Sequence, residues 1–394
     1  MVITTGNPPA RLLDLTRLIS RAGHPMTGVD RVEFAYLEHL LEHPSLWGLV
    51  RTSIGYVLLD HAGCRTVHTR LQDNLWGPTD RLARLQRGRH PIRLRAEADL
   101  RRICRARCLP IRLSSMLRRH LPMGVHYINT GHSNLTNRVL SALTLCKAHV
   151  AVFVHDTIPL DFPQYQRPET FASFRLFLDR VVARADVILC NSHQTLADMK
   201  RHAKTDLPPS AVAHLGVNLP TLGVAPDGPW TPPYFVTLGT IEPRKNHALL
   251  LDIWGKIPDA HLLICGHRGW ENHAVFERLD AAPSRVHELS ELPDDQLFAL
   301  IKGAAGLLFP SFAEGYGLPP LEAAALGVPV LCNDLPIYRE VLGDIPVYAD
   351  ARDRYLWETT IKQMAQAHQT GTGNTLDYTA PTWDDHFKIV LTLI

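Results

Sequence analysis

The chain lacks long apolar runs. None of its 394 residues lies in a stretch of the about 18 consecutive apolar residues that a membrane-spanning helix requires. The first residues, 1–9, have neither the charged part nor the apolar part of a secretory leader. These absences argue against an integral membrane protein. We expect a cytoplasmic protein that is at most peripheral to the inner face of a membrane.

Cysteine is scarce and scattered. The seven cysteines are odd in number and irregular in spacing, which argues against a disulfide framework. Cys104 and Cys108 lack the spacing and the companion ligands of a zinc site. We therefore interpret the cysteines as free thiols in a reducing compartment.

Two motifs are also missing. The first half does not open on a Gly-x-Gly-x-x-Gly sequence with an acidic residue about 20 positions further on, which argues against a dinucleotide oxidoreductase. No Asp-x-Asp pair suggests a divalent cation site. We therefore expect neither a nicotinamide cofactor nor a bound metal.

The net charge of +2 conceals a strongly basic segment. Between Arg81 and His120, thirteen arginines face only Glu97 and Asp99. Such a segment can lie on an anionic bilayer, where each cation near the surface contributes about 1 kcal/mol. A solvated insertion is the alternative, and nucleic acid is the third reading, although no binding motif accompanies the patch. Apolar residues are interleaved with the arginines: Leu94, Leu100, Ile103, Leu109, Ile111 and Leu113.

Apolar and amphipathic segments alternate along the chain, which predicts an α/β protein with parallel sheets. Residues 216–233, rich in proline and glycine, separate two such halves. In the second half we predict strands at 234–239, 261–265, 306–309 and 328–331 and helices at 247–255, 294–303 and 319–326. In the first half we predict strands at 48–51, 54–59, 125–128, 150–154 and 186–190 and helices at 30–42, 134–146, 171–184 and 192–202.

Residues 306–327 carry the strongest chemical signal. A short apolar strand runs into a loop with Gly315 and Gly317, and a helix with two prolines in its first turn follows. The free N–H groups and the dipole at such a helix start favour an anion. Glu314 in the loop and Glu322 in the helix add carboxylates that can accept hydroxyl hydrogens. Together these features suit a sugar joined to a nucleoside diphosphate.

A second motif lies upstream, at 235–247. An apolar strand ends at Gly239, and Arg244 and Lys245 follow before the next predicted helix. A helix dipole disfavours cations at a helix start, so this placement points to function. A guanidinium and an ammonium side by side suit a diphosphate.

With Glu314 and Glu322 separated by seven residues, this pair of motifs resembles the retaining GT-B glycosyltransferases, specifically glycosyltransferase family 4. The resemblance implies two Rossmann-like domains that face each other across a cleft. We place an acceptor-side domain at 1–222, with the arginine-rich insertion near 81–120, and a nucleotide-sugar domain at 223–380. Residues 381–394 would then form a helix that crosses back to the first domain.

The resemblance also implies roles for particular residues. Arg244 and Lys245 would stabilise the leaving diphosphate, Glu322 would hold the ribose hydroxyls and Glu314 the sugar hydroxyls. His155 would contact the transferred sugar, and with Arg244, Lys245 and Glu314 it forms the predicted catalytic set. The predicted donor-binding residues are Gly28, Gly239, Arg244, Lys245, Glu314, Gly315, Tyr316, Gly317, Leu318 and Glu322, and the predicted acceptor-side residues are Asp156, His132 and Asn134.

The expected activity is metal-free, retaining transfer of a hexose. GDP-mannose is the first expectation for the donor, with UDP-glucose and dTDP-rhamnose as alternatives, because the motifs look most like bacterial enzymes of exopolysaccharide and O-antigen synthesis. The expected acceptor is a glycan or a polyprenyl-diphosphate-linked oligosaccharide. Other classes stay open: a catalytically dead scaffold that binds sugar nucleotides, an NAD-dependent oxidoreductase, and an epimerase or phosphorylase.

Overall fold

The computed structural model describes residues 9–84, 88–372 and 377–394. Residues 1–8, to which the prediction of no leader applies, lie outside these ranges, as do three positions of the arginine-rich segment. The first half contains one sheet and its helices. Its strands are β1 (Arg11–Asp14), β2 (Leu46–Arg51), β3 (Tyr56–Leu59), β4 (Ala106–Cys108), β5 (His126–Asn129), β6 (His149–Val154), β7 (Val187–Cys190) and β8 (Ser210–Val212).

Helices pack on this sheet. They are α1 (Thr16–Ser20), α2 (Gly28–Leu40), α3 (His61–Gln72), α4 (Arg81–Arg84), α5 (Pro91–Ile103), α6 (Leu113–His120), α7 (Asn137–Leu145), α8 (Ile158–Asp161), α9 (Pro168–Arg184) and α10 (His193–His202). The sheet order is β4-β3-β2-β1-β5-β6-β7-β8. Its strands pair in parallel except where β3 meets β2 and β4.

The second half contains a six-stranded parallel sheet of order β11-β10-β9-β12-β13-β14. Its strands are β9 (Tyr234–Leu238), β10 (His261–Cys265), β11 (Val286–Leu289), β12 (Gly306–Phe309), β13 (Val330–Cys332) and β14 (Val347–Tyr348). Its helices are α11 (His247–Trp254), α12 (His273–Asp280), α13 (Asp294–Lys302), α14 (Leu318–Ala325), α15 (Pro336–Leu342) and α16 (Arg354–Thr370), and α17 (Trp383–Val390) follows them.

The strand order places a crevice in each half. In an open parallel sheet, ligands bind at the carboxyl ends of the strands where the order reverses. That point lies between β9 and β12 in the second sheet and between β1 and β5 in the first. The loops after these strands therefore line the two crevices.

The α/β fold class predicted from the sequence is confirmed. Strands β10 and β12 have the predicted bounds, because buried parallel strands are continuously apolar and therefore conspicuous. Short or half-exposed strands were missed. The residues of β11 are all partly exposed, and β14 has only two residues.

The described part of the arginine-rich segment is folded into the first half. Strand β4 pairs with β3, and Leu100 and Leu113 are fully buried. Several arginines are neutralised, as in the ion pairs of Arg101 with Asp80 and Arg102 with Asp99. The interleaved apolar residues therefore divide between the core and the surface. Those on the surface include Leu109 and Ile111.

The last helix packs on the first half. On α17, the ring of Phe387 stacks on His39 of α2 at 3.8 Å, and His386 Nε2 lies 2.9 Å from the hydroxyl of Tyr36. The domain boundaries proposed from the sequence stay a prediction, with the two sheets on either side of 222/223. Within the described ranges, no helix combines the length and the apolar character that crossing a bilayer demands.

Candidate active site

The loop between β12 and α14 has a backbone that only glycine allows. Gly317 has φ +94°, a backbone conformation in which a residue with a side chain is strained. A methyl group there would also lie 2.5 Å from Tyr338 Cε1. Pro319 and Pro320 follow in the first turn of α14, where missing N–H groups have no effect on the helix. The N-terminus of α14 is therefore held at the crevice.

Both predicted cations meet the predicted carboxylate at this point. Lys245 Nζ lies 2.6 Å and Arg244 Nη1 3.0 Å from the same oxygen of Glu314, Oε1. Arg244 also binds Glu242 through Nη2 at 2.8 Å, and Lys245 Nζ lies 4.5 Å from the ring centre of Phe309. All of these charged groups are largely buried. The charges of Arg244, Lys245 and Glu314 form one cluster.

The electrostatics of this cluster hold its members ionised. Burial would raise the pKa of Glu314, but the charges of Arg244 and Lys245 outweigh burial and lower it to about 2. Burial lowers the pKa of Lys245, against the pull of Glu314. Burial would also lower the pKa of Arg244, but Glu314 and Glu242 raise it. Both cations of the cluster are thus paired with carboxylates.

Glu322 is paired across the cleft. This carboxylate is 1% exposed, and Oε1 lies 2.7 Å from Nη1 of Arg31 in α2. Burial raises its pKa, and Arg31 opposes that rise. Nearby, Gly28 at the start of α2 faces Leu318 at the start of α14, since a methyl group on Gly28 would meet Leu318 Cδ1 at 3.6 Å. Two helix N-termini, each favourable to an anion, therefore face each other.

His155 lies at the carboxyl end of β6 and is 5% exposed. Its Nε2 donates to the carbonyl of Thr130 at 2.6 Å, because a carbonyl can only accept. Burial lowers the pKa of His155 to about 4, so the ring is neutral at pH 7. Nδ1 is then the acceptor nitrogen, which suits a hydroxyl donor.

The first half contacts the glycine loop directly. Asn191 Nδ2 donates to the carbonyl of His155 at 2.8 Å and to that of Gly315 at 3.3 Å. A methyl group on Gly315 would lie 2.9 Å from Asp156 Oδ2 and 3.1 Å from the His155 carbonyl. Only a residue without a side chain allows this approach between the halves.

Alanine at Gly315 should therefore lower the free energy of unfolding by about 1–3 kcal/mol, the usual cost of an added methyl group in a closed contact. Urea unfolding followed by circular dichroism measures this loss. Gly255→Ala is the control, because nothing lies within 4 Å of the added methyl group there. A Gly315→Ala protein as stable as the control would contradict the close approach.

The acceptor-side role of His132 and Asn134 stays a prediction, and both side chains make contacts within the first half. The ring of His132 packs against Phe177 at 4.5 Å, and its Nε2 lies 3.0 Å from the carbonyl of Phe153. Burial lowers the pKa of His132. Asn134 donates to Asp14 Oδ2 at 2.8 Å. These side chains stabilise the crevice of the first half, and of the three only Asp156 faces the glycine loop.

The donor contacts of Tyr316 and Gly239 stay a prediction, and the structure gives both residues contacts within the protein. The hydroxyl of Tyr316 donates to the Leu215 carbonyl at 3.2 Å, so its side chain joins the two halves and only its backbone faces the loop. Gly239 has φ +129°, and a methyl group there would lie 3.2 Å from Lys245 Cε. Its role is to leave room for the lysine.

Sequence reasoning missed Arg31 and Asn191 as site residues. Arg31 follows Gly28 by three positions, so both lie on one face of the first turn of α2, and that spacing could have indicated it. Asn191 directly follows the buried strand β7, and that position at a strand end could have indicated it, although its two partners lie in different halves.

One group of possible metal ligands occurs within the described ranges. Atoms of His193, His214 and Glu340 lie within 4.8 Å of one another. Glu340 on α15 already accepts the backbone N–H groups of His193 and Gln194 at 2.7 and 2.9 Å. We interpret the group as a contact that joins α15 to the start of α10.

Two Rossmann-like sheets with facing crevices, joined through cations, carboxylates and two helix N-termini, define a GT-B fold. The chain superposes on the crystal structure of Anabaena Alr3699/HepE in complex with UDP-glucose with a TM-score of 0.62. The match covers 97% of this chain and 99% of that one at 13% sequence identity, which establishes the fold alone.

Sequence comparison finds a family match over part of the second half and relatives that align with part of the chain. Residues 227–363 match the family described as "Glycosyl transferases group 1". The chain is 30% identical over 228 residues to serotype-specific mannosyltransferase WbdA of Escherichia coli, covering 51% of this chain and 28% of the relative. It is 36% identical over 127 residues to O-antigen chain mannosyltransferase B of Escherichia coli, covering 30% and 33%. The chain thus spans a third or less of these relatives.

Proposed function

We propose that the protein is a retaining glycosyltransferase of family 4 that moves a hexose from a nucleoside-diphosphate sugar to a glycan or polyprenyl-diphosphate-linked acceptor. The observation that carries the proposal is the cluster of Arg244, Lys245 and Glu314 at the N-terminus of α14. Its position at the strand-order reversal is where an α/β sheet binds a nucleotide. The family match over 227–363 supports the same reading.

In the proposed reaction, an acceptor hydroxyl oxygen bonds to the anomeric carbon as the bond from that carbon to the diphosphate oxygen breaks. The nucleoside diphosphate leaves with the electron pair and takes the proton of the hydroxyl. Arg244 and Lys245 stabilise the charge that develops on the diphosphate, the main requirement of such a step. We propose that these cations and the two helix N-termini serve in place of a metal.

The two carboxylates and His155 would orient the substrates. Glu314 would accept hydrogen bonds from hydroxyls of the sugar as its pairing with the cations loosens. Glu322 would accept hydrogen bonds from hydroxyls of the ribose. The Nδ1 atom of neutral His155 would accept a hydrogen bond from a sugar hydroxyl, because Nε2 already donates to the carbonyl of Thr130. We propose GDP-mannose as the donor, ahead of UDP-glucose and dTDP-rhamnose, because the two relatives described above are mannosyltransferases.

Thermal unfolding with GDP, UDP, dTDP and NAD side by side tests the proposal. A ligand that binds only the folded state raises Tm according to its affinity. We expect one nucleoside diphosphate to raise Tm selectively and NAD to have no effect. A shift with NAD alone would favour the oxidoreductase. Nucleotide binding without turnover of the sugar nucleotide would favour the dead scaffold, and no shift at all would overturn the proposal.

Arg31 gives a sharper test of the donor site. Its guanidinium pairs with Glu322, so a ribose that binds this carboxylate must displace the guanidinium. One helical turn from Gly28, the guanidinium can then turn to the diphosphate. Arg31→Ala should therefore strengthen binding of the uncharged nucleoside and weaken binding of the nucleoside diphosphate. Since a hydrogen bond to a charged group contributes about 1.5–3 kcal/mol, the ratio of the two Kd values should change at least about tenfold.

Calorimetric titration of both ligands into wild type and variant measures that ratio. Arg65→Ala is the matched control, because Arg65 is exposed on α3, away from the cleft. If the ratio is the same in wild type and Arg31→Ala, the ion pair plays no part in donor binding.

We further propose that the protein is cytoplasmic and binds anionic membranes peripherally through the exposed part of the arginine-rich segment. Ile111 is 88% exposed and Leu109 57%, with Arg107 and Arg112 beside them in the chain. Exposed apolar side chains flanked by arginines suit a lipid interface. Ile111→Asp should lower co-sedimentation with phosphatidylglycerol vesicles severalfold relative to Val224→Asp, another exposed apolar site. Equal co-sedimentation of the two variants would contradict the proposal.

A further inference from the structure

A cavity of about 360 Å³ lies between the two halves beside the glycine loop. Its inner wall is formed by Glu314 and Gly315, and Asp156 faces them from the first half. The cavity therefore adjoins the carboxylate that would hold the donor sugar. Its volume lies within the range of about 300–1,000 Å³ typical of small-molecule sites. A group bound here would face the reacting end of the donor.

The charged groups on the cavity wall are mostly carboxylates. Asp161 and Asp198 line it together with Asp156 and Glu314. Arg201 also lines it, but its guanidinium binds Asp161 at 2.5 Å and Asp198 at 2.7 Å. Arg201 is the one arginine or lysine among the cavity-lining residues, all of which lie in the described ranges, and it is thus paired with two carboxylates. The wall repels anions and offers oxygen atoms that accept O–H groups.

One side of the cavity is aromatic. Phe312 lines it and stacks on Tyr165 with ring centres 5.5 Å apart and an angle of 6° between the planes. The stack fixes the orientation of the ring, which can pack against the C–H face of a sugar. An apolar surface with a few placed polar groups is the usual composition of a site for an uncharged, hydroxyl-rich ligand.

We infer that this cavity binds the acceptor, and that the acceptor presents an uncharged pyranose there rather than a phosphate or a uronate. The inference rests on the proposed function and specifies the acceptor class at the same site. The carboxylates of Asp156 and Asp198 accept its hydroxyl hydrogens, and Phe312 packs against its ring. A diphosphate that anchors the acceptor to a lipid must lie outside the cavity.

The test compares two acceptors that differ only at C6: a p-nitrophenyl hexoside, with a neutral hydroxymethyl group, and the p-nitrophenyl glucuronide of the same ring configuration, with a carboxylate. In wild type we expect the KM for the glucuronide to be at least tenfold higher. Phe312→Leu, which keeps most of the bulk, and Asp198→Asn should each raise the KM for the neutral hexoside about tenfold. The KM for the donor and the rise in Tm with nucleoside diphosphate should not change.

Asp179→Asn is the control, because Asp179 lies on α9, outside the cavity, and pairs there with Lys204. Binding of the hexoside to protein saturated with nucleoside diphosphate, followed by ligand-observed NMR, provides a readout that needs no turnover. Equal binding of both glycosides, or unaltered hexoside binding in both cavity variants, would overturn the inference while the nucleotide response stands. Loss of the nucleotide response in wild type would instead overturn the proposed function.

Discussion

Replacing Arg244 with lysine should lower kcat about a hundred- to a thousandfold, the usual effect of removing one preorganised donor at a developing charge. Lysine keeps the positive charge but cannot reproduce the planar fork, and the two side chains are not interchangeable at such sites. Arg244 binds Glu242 through Nε and Nη2 at 3.1 and 2.8 Å and lies 3.0 Å from Glu314. Steady-state kinetics with the sugar nucleotide that stabilises the protein measures the loss.

The lysine variant should stay folded, because one charge remains to pair with the carboxylates. A Tm within a few degrees of wild type would separate the catalytic effect from unfolding. Arg268→Lys is the matched control, since Arg268 pairs with Glu288 and Asp280 on the surface and should leave kcat unchanged. Turnover at the wild-type rate in Arg244→Lys would show that the reaction does not require the guanidinium.

Replacing Glu314 with glutamine should lower the free energy of unfolding by about 3–5 kcal/mol, the cost of leaving buried charge without its partner. Arg244 and Lys245 share the Oε1 atom of Glu314 and would lose that carboxylate together. A diphosphate would then replace the missing negative charge. The rise in Tm with nucleoside diphosphate should therefore be larger in the variant than in wild type, although turnover falls.

The effect of Glu314 should depend on pH. The folded-state pKa of about 2 lies below the ordinary value of 4.5, so ionised Glu314 stabilises the folded protein above pH 4.5. This stabilisation is lost as pH falls from about 4.5 toward 2. Urea unfolding between pH 7 and 3 should show wild type and Glu314→Gln converging in acid. Glu288→Gln, at the surface pair with Arg268, should cause a much smaller loss.

The two donor motifs could be predicted because each is local. A buried parallel strand followed by a glycine loop and a capped helix extends over about twenty residues, and its apolar run, glycines and prolines are visible in order. That is why β12, the glycine loop and α14 lie where the sequence placed them, within one residue. Arg244 and Lys245 were identified for the same reason, since they follow a conspicuous strand.

The contacts of the predicted acceptor-side residues could not be predicted from the sequence. Tyr127–Asn134 contains polar residues after a strand, and in sequence His132 resembles a ligand as closely as His155 does. In the structure their rings are neighbours, 5.0 Å apart, but only the His155 carbonyl lies beside the glycine loop, whereas the ring of His132 packs against Phe177. The arginine-rich segment shows the same limitation, because its composition cannot tell which leucines join the core.

The sequence by itself determined the α/β class and the places of β12, the glycine loop and α14, because periodicity and turn chemistry act over short distances. Only the tertiary structure decided which charges meet. The pairing of Arg31 with Glu322, the bridge from Asn191 to Gly315 and the cavity lined by Phe312 each join the two halves. Such contacts depend on how the halves pack, and residues far apart in the chain leave no periodic signal of their meeting.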